Sequence, residues 1–194
     1  MSPSPFIVEW TERIARERGG NPRALDVAMG RGRHAVPLAR AGFRTFGVDI
    51  RLDAVREAVT AGHREGVRVR GWCADLTQHP LPRARFDLVL VSRYLQRDLF
   101  PEVRAAVVPG GVVIYETFTT AQRALGRPPT SPEHLLEPGE LRRCFDLFDV
   151  LFYEEVAAPD AVARLVARSR RSSNASAGND TLPGCAEPCD ESAW

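Results

Sequence analysis

Leu25-Asp26-Val27-Ala28-Met29-Gly30-Arg31-Gly32-Arg33-His34-Ala35 leads from a short apolar stretch through small residues into a segment able to form a helix. Small residues at 28, 30 and 32 let the backbone come close to a ligand, and the amides that open the following helix can face a carboxylate. By itself the loop is ambiguous, because Gly30, Gly32 and Ala35 also fit the G-x-G-x-x-G/A form of a dinucleotide site.

Working outward, residues 24–28, 45–48, 67–72 and 87–91 are short strand candidates, separated by helical stretches at 33–41, 52–64 and 98–107. Such alternation means βαβ units and a parallel sheet. Pro37 falls close enough to the first turn of its helix to be tolerated. Pro109-Gly110-Gly111 reads as a tight turn into a fifth strand at 112–117. Upstream, Ile7, Trp10 and Ile14 recur at helical spacing, so 5–18 reads as an amphipathic helix ended by Gly19 and Gly20 and expected to cover one end of the sheet.

Residues 118–139 carry Pro128, Pro129, Pro132 and Pro138 with little periodicity, a candidate lid. A helix at 138–145 and a terminal pair of strands at 149–156 and 161–167 follow. The expected division is one domain at 1–168 and a disordered, Ser-, Asn- and Gly-rich tail at 169–194.

The chain has 194 residues, enough for one α/β domain and too few for two. Its 44% hydrophobic and 26% charged residues are those of a soluble globular protein, and a net charge of +1 gives no reason to expect a polyanionic partner such as nucleic acid. All the basic charge is arginine, which excludes lysine Schiff-base or general-base chemistry. With no signal-like or membrane-length apolar run, the expected location is cytoplasmic. Cys73 and Cys144 stand alone, and Cys185 and Cys189 lie in the tail without a nearby histidine, so no metal site is expected.

Asp49 ends the second strand, where a carboxylate can accept from both hydroxyls of a ribose; the plainer reading is a helix N-cap, a role Asp53 could also fill. Cys73-Ala74-Asp75-Leu76 follows the third strand and Phe86-Asp87-Leu88-Val89-Leu90-Val91-Ser92 forms the fourth.

With these segments in hand, the sequence resembles the class I S-adenosylmethionine-dependent methyltransferases. The shared pattern is a glycine-rich loop after an acid, an acidic end to strand two, an acid after strand three, a strand-four motif beginning F-D, and P-G-G before strand five. All five occur here in order, over roughly residues 4–168, with Ala28 where glycine is commonest. The resemblance implies a single-domain, Rossmann-like α/β fold: a seven-stranded, mostly parallel sheet with an antiparallel last strand and helices on both faces. It implies S-adenosyl-L-methionine as cofactor, with Asp26, Ala28, Gly30 and Gly32 around its methionine part. Asp49 would hold the ribose, Ile50 would pack on the adenine, Asp75 and the Leu76 amide would read the adenine edge, and Ser92 and Arg93 would lie beside the transferable methyl.

More narrowly, Gly30-Arg31-Gly32-Arg33-His34-Ala35, Ser92-Arg93-Tyr94-Leu95-Gln96-Arg97, Tyr115-Glu116-Thr117-Phe118 and Leu135-Leu136-Glu137-Pro138-Gly139-Glu140-Leu141 are similar to the small bacterial tellurite-resistance-type methyltransferases. That implies a small-molecule acceptor with a soft nucleophile, such as a chalcogen oxyanion or a thiol. Arg93, Tyr94 and Glu116 are the residues expected to position it, with Arg97, Tyr115, Arg123, Arg127 and His134 as further candidates. The plain alternatives are solvated surface arginines and a His134 that caps or fills the lid. His34 is expected to pack or to contact cofactor rather than act as a base. An Asn-Pro-Pro-Tyr motif for amide or adenine nitrogens is absent, since Ser92-Arg93-Tyr94-Leu95 stands there. Two other classes stay open: an NAD-dependent oxidoreductase, from the glycine spacing and Asp49, and a catalytically silent cofactor-binding interaction module, because no obligatory base can be named. The sequence leaves the oligomeric state open.

Overall fold

The computed structural model describes residues 2–171; the remainder of the expected tail, with Cys185 and Cys189, lies outside the described residues. Seven strands form one sheet in the order β3-β2-β1-β4-β5-β7-β6. In chain order they are β1 (Arg23–Val27), β2 (Arg44–Asp49), β3 (Val69–Cys73), β4 (Phe86–Ser92), β5 (Val107–Phe118), β6 (Asp149–Val156) and β7 (Val162–Arg168). Strands β1 to β5 pair in parallel, while β7 runs antiparallel to both β5 and β6. This is the mixed sheet expected from the sequence.

The sheet is buried on both faces in its middle because alternate side chains of β1, β4 and β5 are apolar in both directions. On one face Leu25, Val27, Val89, Val91 and Tyr115 pack with Phe100 and Val103 of helix α4 (Phe100–Ala106) and with Leu141 of α5 (Glu140–Cys144). On the other, Ala24, Leu88, Leu90, Val112 and Ile114 meet Phe6, Ile7 and Ile14 of α1 (Pro5–Arg18) and Leu38 of α2 (Ala35–Arg40). Helix α1 therefore lies across a face of the central strands and not over one end of the sheet. A third cluster joins Met29, Ala35, Val69 and the buried stripe Val55 and Ala58 of α3 (Leu52–Arg64).

Two further expectations change. Pro109-Gly110-Gly111 is not a turn before the strand: β5 starts at Val107, pairs Phe86 with Val107 and then Leu88 with Val112, so the intervening residues bulge. Gly110 (φ 75) sits in that bulge, its amide bonded to the Ser169 carbonyl. The single helix expected at 98–107 is a 3₁₀ turn, Arg97–Leu99, leading into α4 with Pro101 in its first turn. Asp87 ties α1 and β1 to the sheet, accepting from the Arg23 amide (2.9 Å) and pairing with Arg18 (3.2 Å). No helix among the described residues is long and apolar enough to cross a membrane.

Candidate functional site

Strand order reverses between β1 and β4: the chain leaves β1 toward β2 and β3, then returns to lay β4 on β1's other side. Loops at the carboxyl ends of these strands diverge there and open a crevice. The first loop takes a left-handed backbone at Ala28 (φ 51), Gly30 (φ 55) and Gly32 (φ 82). The three are not equivalent. A Cβ on Gly30 would meet nothing within 4 Å, so that backbone is bare toward the crevice side. A Cβ on Gly32 would come within 2.8 Å of Ala58 Cβ, so this glycine serves the packing of the loop on α3. Met29 anchors the loop from behind, its side chain lying in the trough left by Gly47 and Gly71, which are register partners on β2 and β3.

Asp49, at the end of β2, accepts the Gly30 amide on Oδ2 (2.8 Å) and the Arg51 amide on Oδ1 (3.0 Å). One carboxylate thus fixes the glycine loop and the start of α3, and each oxygen keeps acceptor capacity for a diol. Asp75 accepts from the Thr77 amide (2.9 Å) and hydroxyl (2.7 Å) on Oδ1 and from Gln78 on Oδ2 (3.1 Å), and these bonds hold its carboxyl below the usual range. Both acids line one cavity of about 440 Å³ with Ala28, Ile50, Leu76 and Tyr94. That volume falls within the range of small-ligand sites. Ile50 is 64% exposed at its wall, an apolar side chain left open to a flat ring.

Asp26 is buried under the loop and does not line that cavity. Burial, reinforced by the charge of Asp49 and opposed by Arg33, pushes its carboxyl up to about 7, and its Oδ2 has no hydrogen-bond partner. A buried carboxylate oxygen lacking a partner beside a bare glycine backbone fits the cationic amino-acid end of S-adenosylmethionine. His34, also buried, is held neutral by desolvation, with its pKa lowered to about 3, and its Nε2 accepts the Ser4 amide (3.1 Å). It is a packing residue that fastens the N-terminal segment, not a base. Ser92 accepts from Arg33 (3.0 Å).

Arg93 stands at the crossing of three cavities. It borders the one just described, an apolar one of about 420 Å³ with Tyr94, Leu95, Phe118, Pro128, Pro129 and His134, and a polar one of about 230 Å³ with Arg33, Glu116, Asp160 and Arg164. Its backbone is left-handed (φ 55), its guanidinium pairs with Asp160 (2.9 Å), and it lies 5.3 Å over the Phe118 ring. A non-glycine residue held in that region at a site edge marks backbone strain maintained by the surroundings.

Of the residues expected to position an acceptor, Arg93 and Tyr94 come together, while Glu116 joins Arg93 in the polar cavity and not Tyr94. Glu116 is buried between Arg164 (2.8 Å) and the Ser4 hydroxyl (3.0 Å). Tyr115 is a core residue whose hydroxyl donates to the Tyr94 carbonyl (3.0 Å). Arg97 grips Glu140 through two nitrogens (2.7 and 2.9 Å) and the Leu135 carbonyl (2.9 Å), so it pins the 118–139 segment and does not face an acceptor. Arg123 bonds within that segment to the Thr130 carbonyl. Arg33, Ser4, Asp160 and Arg164 were not singled out from the sequence. The Glu116–Arg164 pair follows from the antiparallel register of β5 on β7, which no local pattern encodes.

Residues 24–111 match a family model described as a methyltransferase domain. That match covers somewhat under half of the chain, and the seven-stranded sheet is the Rossmann-like arrangement that the sequence resemblance implies. Among solved structures it is similar to an S-adenosylmethionine-dependent methyltransferase of Mesorhizobium loti (20% identity, TM-score 0.65, 83% of this chain and 97% of that one). It is also similar to TehB of Haemophilus influenzae (15%, TM-score 0.69, 86% of this chain and 62% of that one). A third is the [4+2]-cyclase SpnF (19%, TM-score 0.67, 85% and 81%). At these identities the likeness carries the fold. No curated protein matches the sequence.

Proposed function

We propose that the enzyme methylates a small molecule through a soft nucleophile, a thiol or a chalcogen oxyanion, held beside Arg93 and Tyr94. The donor would lie across the carboxyl edge of β1, β2 and β4: Asp26, Ala28 and Gly30 around its amino-acid end, Asp49 at the ribose, Ile50 against the adenine, Asp75 and the Leu76 amide at the adenine edge. Gly32 would act from behind, through α3. Ser92 and Arg93 would border the methyl.

The observation that carries this reading is the apolar cavity on the far side of Arg93, which no carboxylate lines. Tyr94 cannot act there as a base: its hydroxyl donates to Gln96, and desolvation raises its pKa further. His134 stands exposed on the 3₁₀ turn Pro132–His134 at the rim. An acceptor that is already anionic, a thiolate or a chalcogen oxyanion, needs no base in this place, whereas an alcohol or an amide has to lose a proton. When bound, the donor supplies an already electrophilic methyl on a sulfonium. What remains for the chain is alignment and exclusion of water, the first through Arg93 and Tyr94, the second through the proline-rich 118–139 segment. The narrower sequence resemblance to tellurite-resistance-type methyltransferases points the same way.

Incubating the chain with labelled donor and a panel of tellurite, selenite, thiols, amines and alcohols tests it. Transfer confined to the soft nucleophiles is expected. Turnover of amines or alcohols alone would overturn the acceptor class.

A further inference from the structure

We propose that the methyl acceptor is an aromatic thiol, one whose ring fills the apolar cavity on the far side of Arg93 and whose sulfur is already ionised near neutral pH. This rests on the reading of the enzyme as one for soft nucleophiles, and it names the substrate class within that reading.

Leu95 and Phe118 are almost wholly buried, and Pro128 and Pro129 close the cavity from the 118–139 segment. That side is fastened to the sheet: the buried Gln122 donates to the Pro128 carbonyl (3.2 Å) and accepts the Ala161 amide, just before β7 (2.7 Å). Tyr94, which borders both this cavity and the donor's, is held at its hydroxyl by Gln96 and at its carbonyl by Tyr115 (3.0 Å). Aromatic and proline surfaces suit a flat, apolar body, and about 420 Å³ takes one or two rings. A bare inorganic oxyanion fits worse. It would exchange water for apolar walls, and the guanidinium of Arg93 is already engaged by Asp160 (2.9 Å) and lies over the Phe118 ring.

Ionisation of the sulfur matters as much as the shape of the walls. Among the described residues no carboxylate lines the cavity, and the Tyr94 hydroxyl donates to Gln96, so a thiol has to arrive deprotonated. A cysteine-like alkyl thiol, with a pKa of about 8.5, is mostly protonated at neutral pH, whereas an aromatic ring delocalises the thiolate charge and lowers that value. The thiol proton goes to water before transfer. The thiolate lone pair then forms the new S–CH3 bond as the sulfonium's C–S electron pair returns to the donor sulfur, leaving two neutral thioethers.

Thiophenol, cyclohexanethiol, selenite and tellurite, each with labelled donor and the full chain, test the proposal. At neutral pH kcat/KM for thiophenol should exceed that for cyclohexanethiol, a thiol of nearly the same size, by at least about ten-fold, because greater ionisation is only about half offset by weaker nucleophilicity. Across para-substituted thiophenols the midpoint of the pH–rate profile should follow each thiol's own pKa. His134→Glu, at an exposed position on the rim, places a carboxylate beside a thiolate and should raise KM for thiophenol at least about five-fold with donor affinity unchanged. His134→Gln should leave both near their starting values. Equal use of thiophenol and cyclohexanethiol, a preference for tellurite or selenite, a midpoint that stays fixed, or a silent His134→Glu each overturns the aromatic-thiol assignment and leaves methyl transfer to a soft nucleophile standing. Transfer to amines or alcohols alone overturns both.

Discussion

Replacing Asp26 with asparagine should make the protein more stable at alkaline pH. Asp26 is buried beneath the glycine loop, one oxygen has no partner, and its carboxyl is pushed from 3.8 to about 7 by burial, with Asp49 adding to the shift and Arg33 opposing it. Between those values the folded state keeps a proton that the unfolded chain has lost. Stability from this group is therefore undiminished below the unfolded pKa, falls as pH rises, and reaches its minimum above the folded pKa. A shift of about three units at 1.36 kcal/mol each sets the full cost near ~4 kcal/mol. Of this, about 3 kcal/mol develops between pH 5 and pH 8.5. Asparagine keeps an acceptor for the Ala35 amide and never ionises. Urea unfolding of both proteins at the two pH values measures the effect: the gap in favour of Asp26→Asn should widen by about that amount. The same variant should bind donor less tightly, because the charge opposite its ammonium is gone. Parallel stability profiles would refute the reasoning and show that Asp26 is ionised without penalty.

Asp49→Ala should weaken donor binding by about 1.5–3 kcal/mol, the worth of a hydrogen bond to a charged group, and an unchanged dissociation constant would remove Asp49 from the site. Ala28→Gly should raise the melting temperature by the equivalent of about 1 kcal/mol, since alanine holds a left-handed φ of 51 there; a drop would mean that its methyl packs more than its backbone strains. Arg97→Ala should speed proteolytic cleavage within residues 120–134, as it breaks the ties to Glu140 and the Leu135 carbonyl, while calorimetry finds donor affinity unaltered.

Much of this molecule is legible in its sequence because parallel strands buried on both faces are written as contiguous apolar runs. Residues 86–92 and 112–117 could be read that way, and helix α1 was bounded by Pro5 at its start and paired glycines at its end. The placement of Asp49 and Asp75 at one cavity was legible for a related reason: strand ends at the sheet's carboxyl edge are fixed by the strands themselves. Residues whose roles depend on distant parts of the chain were not. Gly32 looked like a ligand-facing glycine and is shaped by Ala58; Glu116 looked free to orient an acceptor and is held by Arg164 and Ser4, 48 and 112 positions away. Met29 sits in the middle of the decisive loop, yet its role becomes visible only once Gly47 and Gly71 are aligned on adjacent strands. Arg97 is the exposed arginine its sequence context suggests, but its partners were not legible, since only the folded chain brings Glu140 and Leu135 to it.

A crystal structure with the demethylated donor bound tests the central claim most directly. The account predicts ribose hydroxyls on the Asp49 carboxylate, the adenine edge at Asp75 and the Leu76 amide, and the product's sulfur beside Arg93. A nucleoside bound anywhere else, or one whose ribose leaves Asp49 untouched, would contradict it.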